Sequence, residues 1–386
     1  MPGARGIAEV DVFVYGTLRS ADLRRAVTGT SGDVVPAMLR GYAVAPVAGD
    51  VVPLIHPAAD RVAAGLLWRG LTAEQMERLA LFEGAYGHDL VSVTVALPDG
   101  ADVEAQMWLP PATLTTGAGD WSLEAWQDRC ASTTVAAAEA LFAMDPRPAA
   151  ANLRWQWPMM LKRAWAQHEA RARHAPATLR HAASPDDVVV TRRAPPLGRF
   201  FRIQGFEVTH RRFDGDRQGP LPREVFVGID AVLVLPCDPV RGRIVLVEQL
   251  RMGALERGDP NPWVLEPVAG MIDAFETPDQ AALRETREEA GLDVTLRHVA
   301  SYYPSPGNAT DFFHTYVGVC DLPDLDRYAG GLASEHEDLR LHVLTLDDAL
   351  ALADSGEIAA GPGIALIWWL ALHRDALRLE FAPDGA

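Results

Sequence analysis

Two kinds of hydrophobic pattern divide the chain. The runs DVFVYG, LVSVTVAL and DVEAQMWL alternate or cluster apolar residues over the length of a strand, which predicts a mostly β first domain. Residues 121–172 instead carry apolar residues every three to four positions, which predicts helices. After a stretch rich in proline, alanine and small polar residues, the runs AVLVLP and RIVLVEQL predict strands of a second domain. We therefore expect two domains joined by a connector, each large enough to bury its own core.

A short helix in the second domain carries signals at both ends. Thr277 is a residue type that caps helix N-termini, Pro278 suits the first helical position, and Gln280 completes a capping box. Gly291 supplies the left-handed conformation that commonly ends a helix. The sequence therefore predicts a helix over about residues 278–290.

Three glutamates lie on one face of this predicted helix. Glu285, Glu288 and Glu289 stand at i, i+3 and i+4, so their carboxylates project about one turn apart. Like charges at this spacing destabilise a helix, and an i,i+4 pair between Arg284 and Glu288 offsets only part of the repulsion. Because Mg²⁺ and Mn²⁺ prefer carboxylate oxygens, the pattern favours a metal site. A solvated acidic helix face is the alternative.

The composition describes an acidic globular protein. The 386 residues are 48% hydrophobic and carry a net charge of −17, which argues against binding to nucleic acid or to an anionic membrane. The scattered Cys130, Cys237 and Cys320 predict neither a disulfide framework nor a zinc site. The N-terminus lacks the apolar run of a signal peptide, and IALIWWLAL is too short to span a bilayer, so we expect a cytoplasmic protein.

The segment around the acidic helix resembles the Nudix box, G-x5-E-x7-R-E-U-x-E-E-x-G-U, in which U is aliphatic. The matching positions are Gly270, Glu276, Arg284, Glu285, Glu288, Glu289, Gly291 and Leu292. Thr286 is the one departure, because it stands where the family has an aliphatic residue. The resemblance implies a Nudix α/β/α sandwich with Mg²⁺ or Mn²⁺ bound by the acidic helix.

A longer resemblance, over about residues 195–376, is to the Nudix hydrolases that cleave ADP-ribose, with Pro306 of the SPG sequence as a mark of that subgroup. It implies four metal ligands: the backbone carbonyl of Ala269 and the carboxylates of Glu285, Glu289 and Glu337. Glu288 is expected among the residues that surround the metal ion and is a candidate catalytic residue. Glu335 stands where these enzymes keep the residue that activates water, although an exposed acidic loop is the alternative.

The same resemblance implies contacts to the substrate and to a second copy of the chain. Arg223 and Arg251 match positions that contact the nucleotide, with surface ion pairs as the alternative, and Phe200 or Phe201 would stack on adenine. Members of this subgroup dimerise by exchanging N-terminal strands. The segment RFFRIQGFEVTHRRF, residues 199–213, is the candidate strand here, so we expect a homodimer.

These resemblances imply metal-dependent hydrolysis of the pyrophosphate bond of ADP-ribose to AMP and ribose 5-phosphate. The repulsion between two phosphates and a nucleophile explains the need for metal, which neutralises charge and orients water. Another nucleoside-diphosphate compound, such as an NDP-sugar or NADH, is the alternative substrate. A module that senses ADP-ribose without turnover is the alternative from another class, against which the complete set of three glutamates argues.

The first domain carries a second candidate site. A strand runs into Tyr15, Gly16, Thr17 and Leu18, where backbone N–H groups at the turn suit a small anion, although an ordinary strand end is the alternative. Farther along, Glu83 stands between apolar residues in LALFEGAYG, a setting that suits a proton shuttle.

The pairing of YGTL with FEG-x-Y before a strand resembles the γ-glutamylcyclotransferases and their AIG2-like relatives, over about residues 10–112. This resemblance implies a β-barrel with helices, in which the YGTL loop holds a γ-glutamyl group and Glu83 transfers a proton. The chain departs from the family at Ala80, where Asp is frequent, and at His88, where Arg is frequent. A barrel that only senses a ligand or dimerises is therefore the alternative to a second enzyme.

The expected organisation is a mixed α/β (α+β) protein. A cyclotransferase-like barrel covers residues 1–118, a helical extension 119–172, a linker 173–197 and a Nudix domain 198–380. This fused order resembles bacterial Nudix proteins associated with tellurite resistance, a phenotype for which these residues offer no tellurium-binding chemistry.

Overall fold

The chain divides into two compact units, Met1–Arg223 and Glu224–Ala386. The computed structural model describes residues 9–174, 176–322, 329–330 and 338–381. The division falls later than the predicted start of the second domain at residue 198.

The first unit is built on a closed five-stranded barrel in the order β1-β3-β2-β4-β5. Its strands are β1 (Val10–Val14), β2 (Asp33–Pro46), β3 (Pro53–Leu71), β4 (Asp89–Ala96) and β5 (Asp102–Leu109). β1 runs parallel to β5, with Val12 opposite Gln106, and this pairing closes the barrel. Side chains alternate between its two sides, and the inward set includes the buried Phe13, Leu67 and Met107. The predicted β-barrel with helices is confirmed.

Four helices accompany the barrel: α1 (Ala21–Thr28), α2 (Ala73–Gly84), α3 (Leu123–Phe142) and α4 (Ala150–Ala172). α2 begins with a capping box in which the Thr72 side chain accepts from the N–H of Gln75 and the Gln75 side chain accepts from the N–H of Thr72. Because α2 ends at Gly84, it places Glu83 in its last turn. The helices predicted from the apolar spacing of residues 121–172 correspond to α3 and α4.

A three-stranded sheet follows, in the order β6-β7-β8, formed by β6 (Val188–Arg193), β7 (Arg202–Arg211) and β8 (Arg217–Val227). β6 lies inside the segment predicted to be a linker, and it pairs antiparallel with β7. The three consecutive valines of β6 favour a strand. This pairing explains why residues 198–223 belong to the first unit.

The second unit contains one mixed sheet in the order β13-β14-β9-β10-β16-β15, with β11 also paired to β10 and β12 to β9. Its strands are β9 (Ala231–Asp238), β10 (Arg243–Leu250), β11 (Trp263–Glu266), β12 (Val268–Met271), β13 (Thr295–Tyr302), β14 (Phe313–Val319), β15 (Ala329–Gly330) and β16 (Leu339–Thr345). Its helices are α5 (Met252–Arg257), α6 (Pro278–Ala290), α7 (Leu346–Ser355) and α8 (Gly361–Phe381). The predicted α/β/α sandwich is confirmed.

Alternation along the central strand β9 explains the layering of this unit. Leu233 and Leu235 point into a core formed with residues of α7 and α8. Val232 and Val234, which are fully buried, point to the opposite face, where α6 packs against β9 and β12. Among the described residues, no helix has the length and apolar character needed to cross a membrane.

Candidate functional sites

The helix α6 has the boundaries and caps that its sequence predicts. The Thr277 side chain accepts from the backbone N–H of Gln280, Pro278 occupies the first turn, and Gly291 adopts φ 65° at the C-terminal end. The helix packs against β12, the short strand that precedes it in the chain. This packing brings the acidic face of α6 against the backbone of Ala269 and Gly270.

Arg284 gathers the acidic side chains around one guanidinium group. Its Nε and Nη2 atoms donate to the two carboxylate oxygens of Glu276 at 3.0 and 2.8 Å. Its Nη1 donates to both Glu285 and Glu288, at 2.7 and 3.0 Å. Nη2 also donates to the carbonyl of Met271 at 3.2 Å. The hydrogen bonds to Glu276, ahead of the charge of Glu285, raise the pKa of Arg284, so the guanidinium stays charged.

Two carboxylates lie directly on strand β12. Glu289 is buried, with only 2% of its surface exposed. Its Oε2 atom accepts from the backbone N–H of Ala269 at 3.2 Å. A Cβ atom at Gly270 would lie 1.9 Å from the Cδ of Glu285. The carboxylate of Glu285 therefore occupies space that a side chain at position 270 would fill.

We expect Gly270→Ala to lower the hydrolysis that the Nudix-box resemblance implies by about 10²-fold, because a displacement of about 1 Å at a reacting centre has an effect of this size. The added Cβ would push the Glu285 carboxylate off the strand, while the flexibility of that side chain limits the loss of stability. Steady-state kinetics beside thermal unfolding measures both effects. Gly253→Ala, where a Cβ meets nothing within 4 Å, is the matched control, and equal activity in the two variants would contradict the prediction.

The donor set suits a hard divalent cation in its chemistry. Glu285 and Glu289 present carboxylate oxygens beside the Ala269–Gly270 backbone, and oxygen donors are those that Mg²⁺ and Mn²⁺ prefer. In the described residues, no group of three or more His, Cys, Asp or Glu side chains is arranged to hold a metal ion. Arg284 draws two of the carboxylates, Glu285 and Glu288, toward itself. The predicted ligand Glu337 and the predicted catalytic Glu335 lie outside the described residues.

The residues expected to contact the nucleotide have other partners. Arg251, which precedes α5, donates from Nε to Oε2 of Glu266 at 2.5 Å. Arg223 belongs to the first unit, where it is exposed and donates to the carbonyl of Pro222. Phe200 and Phe201 also belong to the first unit and pack edge to face, with ring centroids 4.9 Å apart.

The second candidate site is a cavity of about 190 Å³ in the first unit. Tyr15, Gly16, Thr17, Leu18 and Glu83 all line it, so the structure brings together the two motifs that the sequence singled out. A Cβ atom at Gly16 would lie 2.5 Å from Cγ of Pro53, which explains a glycine in the YGTL loop. Burial, ahead of the charge of Glu83, raises the pKa of Tyr15 well above its ordinary value.

Glu83 is paired inside this cavity. Its Oε2 lies 2.6 Å from Nδ1 of His88, and both side chains are nearly buried. The His88 ring stacks on Tyr86, whose hydroxyl accepts from the indole N–H of Trp157 at 2.8 Å. From the sequence, His88 was noted only as a departure from the family, and its role as the partner of Glu83 was missed. Their spacing of five residues across the end of α2 was the available signal.

Comparisons with known proteins match each half of the chain. Residues 229–364 match the NUDIX domain family, and residues 12–127 match the family described as gamma-glutamyl cyclotransferase, AIG2-like. An ADP-ribose pyrophosphatase of Escherichia coli (strain K12) is 36% identical over 198 residues, which are 51% of this chain and 94% of that protein.

Two further relatives cover the same half. An ADP-ribose pyrophosphatase of Haemophilus influenzae is 34% identical over 45% of this chain and 81% of that protein. A GDP-mannose pyrophosphatase of Salmonella arizonae is 31% identical over 38% of this chain and 76% of that protein. The relatives therefore differ in the nucleotide sugar that their names state.

Proposed function

The chain belongs to the Nudix family, and from that premise we propose that its second unit hydrolyses the pyrophosphate bond of ADP-ribose to AMP and ribose 5-phosphate. The observation that carries this proposal is the seating of the Glu285 and Glu289 carboxylates on strand β12, against Gly270 and the N–H of Ala269. The names of the ADP-ribose pyrophosphatase relatives support the choice of substrate.

The proposed cofactor is Mg²⁺ or Mn²⁺, held by the carboxylates of Glu285, Glu289 and Glu337 and by the backbone carbonyl of Ala269. When bound, the metal supplies neutralisation of phosphate charge and activation of water. Arg284 keeps Glu285 and Glu288 close to this position through its Nη1 atom. The backbone N–H of Ala269 donates to Oε2 of Glu289, which holds this carboxylate against β12.

The remaining roles fall to groups that would approach the substrate. Glu335 is the proposed residue that accepts a proton from the attacking water, and Glu288 supports the same step from α6. Arg251 binds Glu266 through Nε, so its two Nη groups are those proposed to reach a phosphate. Arg223 is proposed as a second contact to the nucleotide.

A substrate panel tests the proposal. ADP-ribose, GDP-mannose and NADH are assayed with the full chain in Mg²⁺, in Mn²⁺ and in excess chelator. We expect ADP-ribose to give the highest kcat/KM and the chelator to abolish turnover. Faster cleavage of GDP-mannose would show that a nucleotide sugar other than ADP-ribose is the preferred substrate. Binding of ADP-ribose without cleavage of any compound would show that the second unit is a sensor and not a hydrolase.

A second activity is proposed for the first unit, because the cavity places Glu83 beside the Tyr15–Leu18 loop. The α-amino group of a γ-glutamyl amine would attack the γ-carbonyl carbon, the γ C–N bond would break, and 5-oxoproline and a free amine would leave. Glu83 would take the proton from the attacking amine and give it to the departing one.

We expect Glu83→Gln to lower the release of 5-oxoproline from a γ-glutamyl dipeptide by about 10²-fold, since a positioned proton-transfer group contributes at least this much. Glu77→Gln, on the same helix α2, is the matched control. Chromatographic measurement of 5-oxoproline is the assay. The absence of release by the wild-type chain across varied γ-glutamyl compounds would leave the barrel without this activity.

A homodimer is also proposed. Its support is the sheet β6-β7-β8, which contains most of the predicted exchange segment and has the exposed Phe213 beside it. Sedimentation equilibrium tests the assembly: a species at the mass of one chain at micromolar concentration would contradict it.

A further inference from the structure

The chain turns back on itself just after helix α2, and this turn returns His88 to Glu83. The backbone N–H of His88 donates to the carbonyl of Glu83 at 3.3 Å, and Nδ1 of its side chain lies 2.6 Å from Oε2 of the same glutamate. Gly87 makes the turn possible, because it adopts φ 73°, a conformation that residues with a side chain rarely adopt. The backbone and the side chain of His88 therefore both bind the residue proposed to transfer the proton.

Aromatic side chains support the His88 ring. The ring stacks on Tyr86 with a centroid distance of 5.7 Å and an interplanar angle of 25°. Tyr86 is held in turn by the indole N–H of Trp157 and by an edge contact with Phe82. Both Phe82 and Trp157 are buried, so this support belongs to the packed interior of the first unit. A ring held by such packing has little freedom to leave the Glu83 carboxylate.

The charges around the cavity favour one direction for this hydrogen bond. Of the described residues that line the cavity, only His88 has a basic side chain, whereas Asp50 and Glu83 carry carboxyl groups. Glu83 is buried, and a buried carboxylate requires a hydrogen-bond donor. An ionised carboxylate can only accept, so its donor here would be the Nδ1–H of His88. The reverse arrangement, with a protonated Glu83 that donates to Nδ1, would leave the glutamate unable to accept a proton from an amine.

We propose that His88 is a positioning residue for Glu83: its Nδ1–H donates to Oε2 of the glutamate and holds the carboxylate in one orientation during proton transfer. The proposal rests on the cyclotransferase activity proposed for the first unit and deepens it by naming the residue that orients its base. His88 acts through Glu83 and itself exchanges no proton with the substrate.

Nitrogen NMR of the histidine side chains in the full chain tests the direction of the hydrogen bond. The 11 histidines give ring-nitrogen signals, in which those of His88 are identified by their absence from His88→Asn. At the pH of the activity assay we expect Nδ1 of His88 to have the chemical shift of a nitrogen that carries hydrogen, and this hydrogen to resonate downfield, as in a short charge-assisted bond. An Nδ1 without hydrogen would overturn the proposal, because Glu83 would then carry the proton.

The kinetics of 5-oxoproline release test the role of His88 in the reaction. His88→Phe keeps a ring that can stack on Tyr86 and removes the donor, whereas His88→Asn offers an amide N–H in place of Nδ1–H. We expect His88→Phe to lower kcat for a γ-glutamyl dipeptide about 10- to 100-fold with KM unchanged, which corresponds to one lost hydrogen bond to a charged group. His88→Asn should keep kcat within about threefold of wild type. His56→Asn, at a histidine of β3 whose Nδ1 lies 3.2 Å from the carbonyl oxygen of Pro57, is the matched control and should leave both constants unchanged.

A double-mutant cycle shows whether His88 acts through Glu83. In the Glu83→Gln background, His88→Phe should cause no further loss of 5-oxoproline release, because the carboxylate that it positions is already absent. A structural role elsewhere in the unit would instead lower the residual release again. If His88→Phe does not fold by circular dichroism, His88→Ala, which leaves room for water beside the carboxylate, replaces it in both comparisons.

The outcomes separate this inference from the proposed activity. Release that depends on Glu83 but is unchanged in His88→Phe, or that falls further when His88→Phe is added to Glu83→Gln, would keep the enzyme and overturn the role of His88. The absence of release by the wild-type chain would overturn the activity and, with it, the role of His88.

Discussion

Replacement of Glu289 by Gln is expected to lower kcat for ADP-ribose hydrolysis by about 10³-fold. A bound metal ion contributes several kcal/mol to stabilisation of the transition state, and Glu289 is one of its proposed ligands. Each 1.36 kcal/mol changes the rate about tenfold. Gln has nearly the same shape as Glu, and its amide oxygen can still accept from the N–H of Ala269. The substitution therefore removes one negative charge from a buried position while the packing of α6 on β12 is retained.

Asp293→Asn is the matched control for this loss of charge. Asp293 lies just beyond the end of α6, where its side chain is 82% exposed and pairs with Arg287. We expect this variant to keep wild-type kcat and the wild-type dependence on Mg²⁺ concentration, whereas Glu289→Gln should also require more Mg²⁺ for half-maximal activity. Equal activity of Glu289→Gln and wild type in saturating Mg²⁺ would contradict the role proposed for Glu289.

Features encoded by neighbouring residues were predictable from the sequence. The helix α6 begins after Thr277 and ends before Gly291, as the capping box, the N-terminal proline and the glycine indicate. The three glutamates share a face of α6 because helical periodicity alone determines this. Likewise, the apolar spacing of residues 121–172 predicted the helical region that contains α3 and α4.

Pairing between distant segments was harder to predict. The segment that contains β6 is rich in proline, alanine and small polar residues and was therefore interpreted as a linker. Its partner β7 follows only after an intervening proline-rich loop. Register between strands depends on packing partners that a single sequence does not reveal. The Phe200–Phe201 pair and Arg223, assigned to the nucleotide by resemblance, consequently lie with the first unit in the division of the chain.

Side-chain partners across the two sites show the same distinction. The YGTL loop and Glu83 line one cavity, as expected from their resemblance to a family with a single site. The pair between Glu83 and His88 depends on side-chain orientations that only coordinates supply. Arg251 was expected at the nucleotide, and its bond to Glu266 depends on the pairing of β10 with β11.

Of the substitutions proposed here, Arg284→Ala is expected to lower the free energy of unfolding of the second unit the most. One guanidinium holds three carboxylates and a carbonyl. Removal of one partner from a buried ion pair costs about 3–5 kcal/mol, and the lower end applies here because the Arg284 side chain is 29% exposed. A loss of about 3 kcal/mol lowers Tm by roughly 6–12 °C for a unit of this size. Scanning calorimetry of the full chain measures the change in the transition that Mg²⁺ shifts upward, which identifies the second unit.

Arg287→Ala on the same helix is the control for the loss of an arginine from α6. Its partner Asp293 is exposed, and exposed pairs contribute about 0–1 kcal/mol, so a shift of no more than a few degrees is expected. Without Arg284 the charges of Glu276, Glu285 and Glu288 lose their shared counterion, and added Mg²⁺ should therefore raise the Tm of Arg284→Ala more than that of wild type. A Tm within about 2 °C of wild type, or an equal response of both chains to Mg²⁺, would show that the guanidinium does not hold the acidic group together.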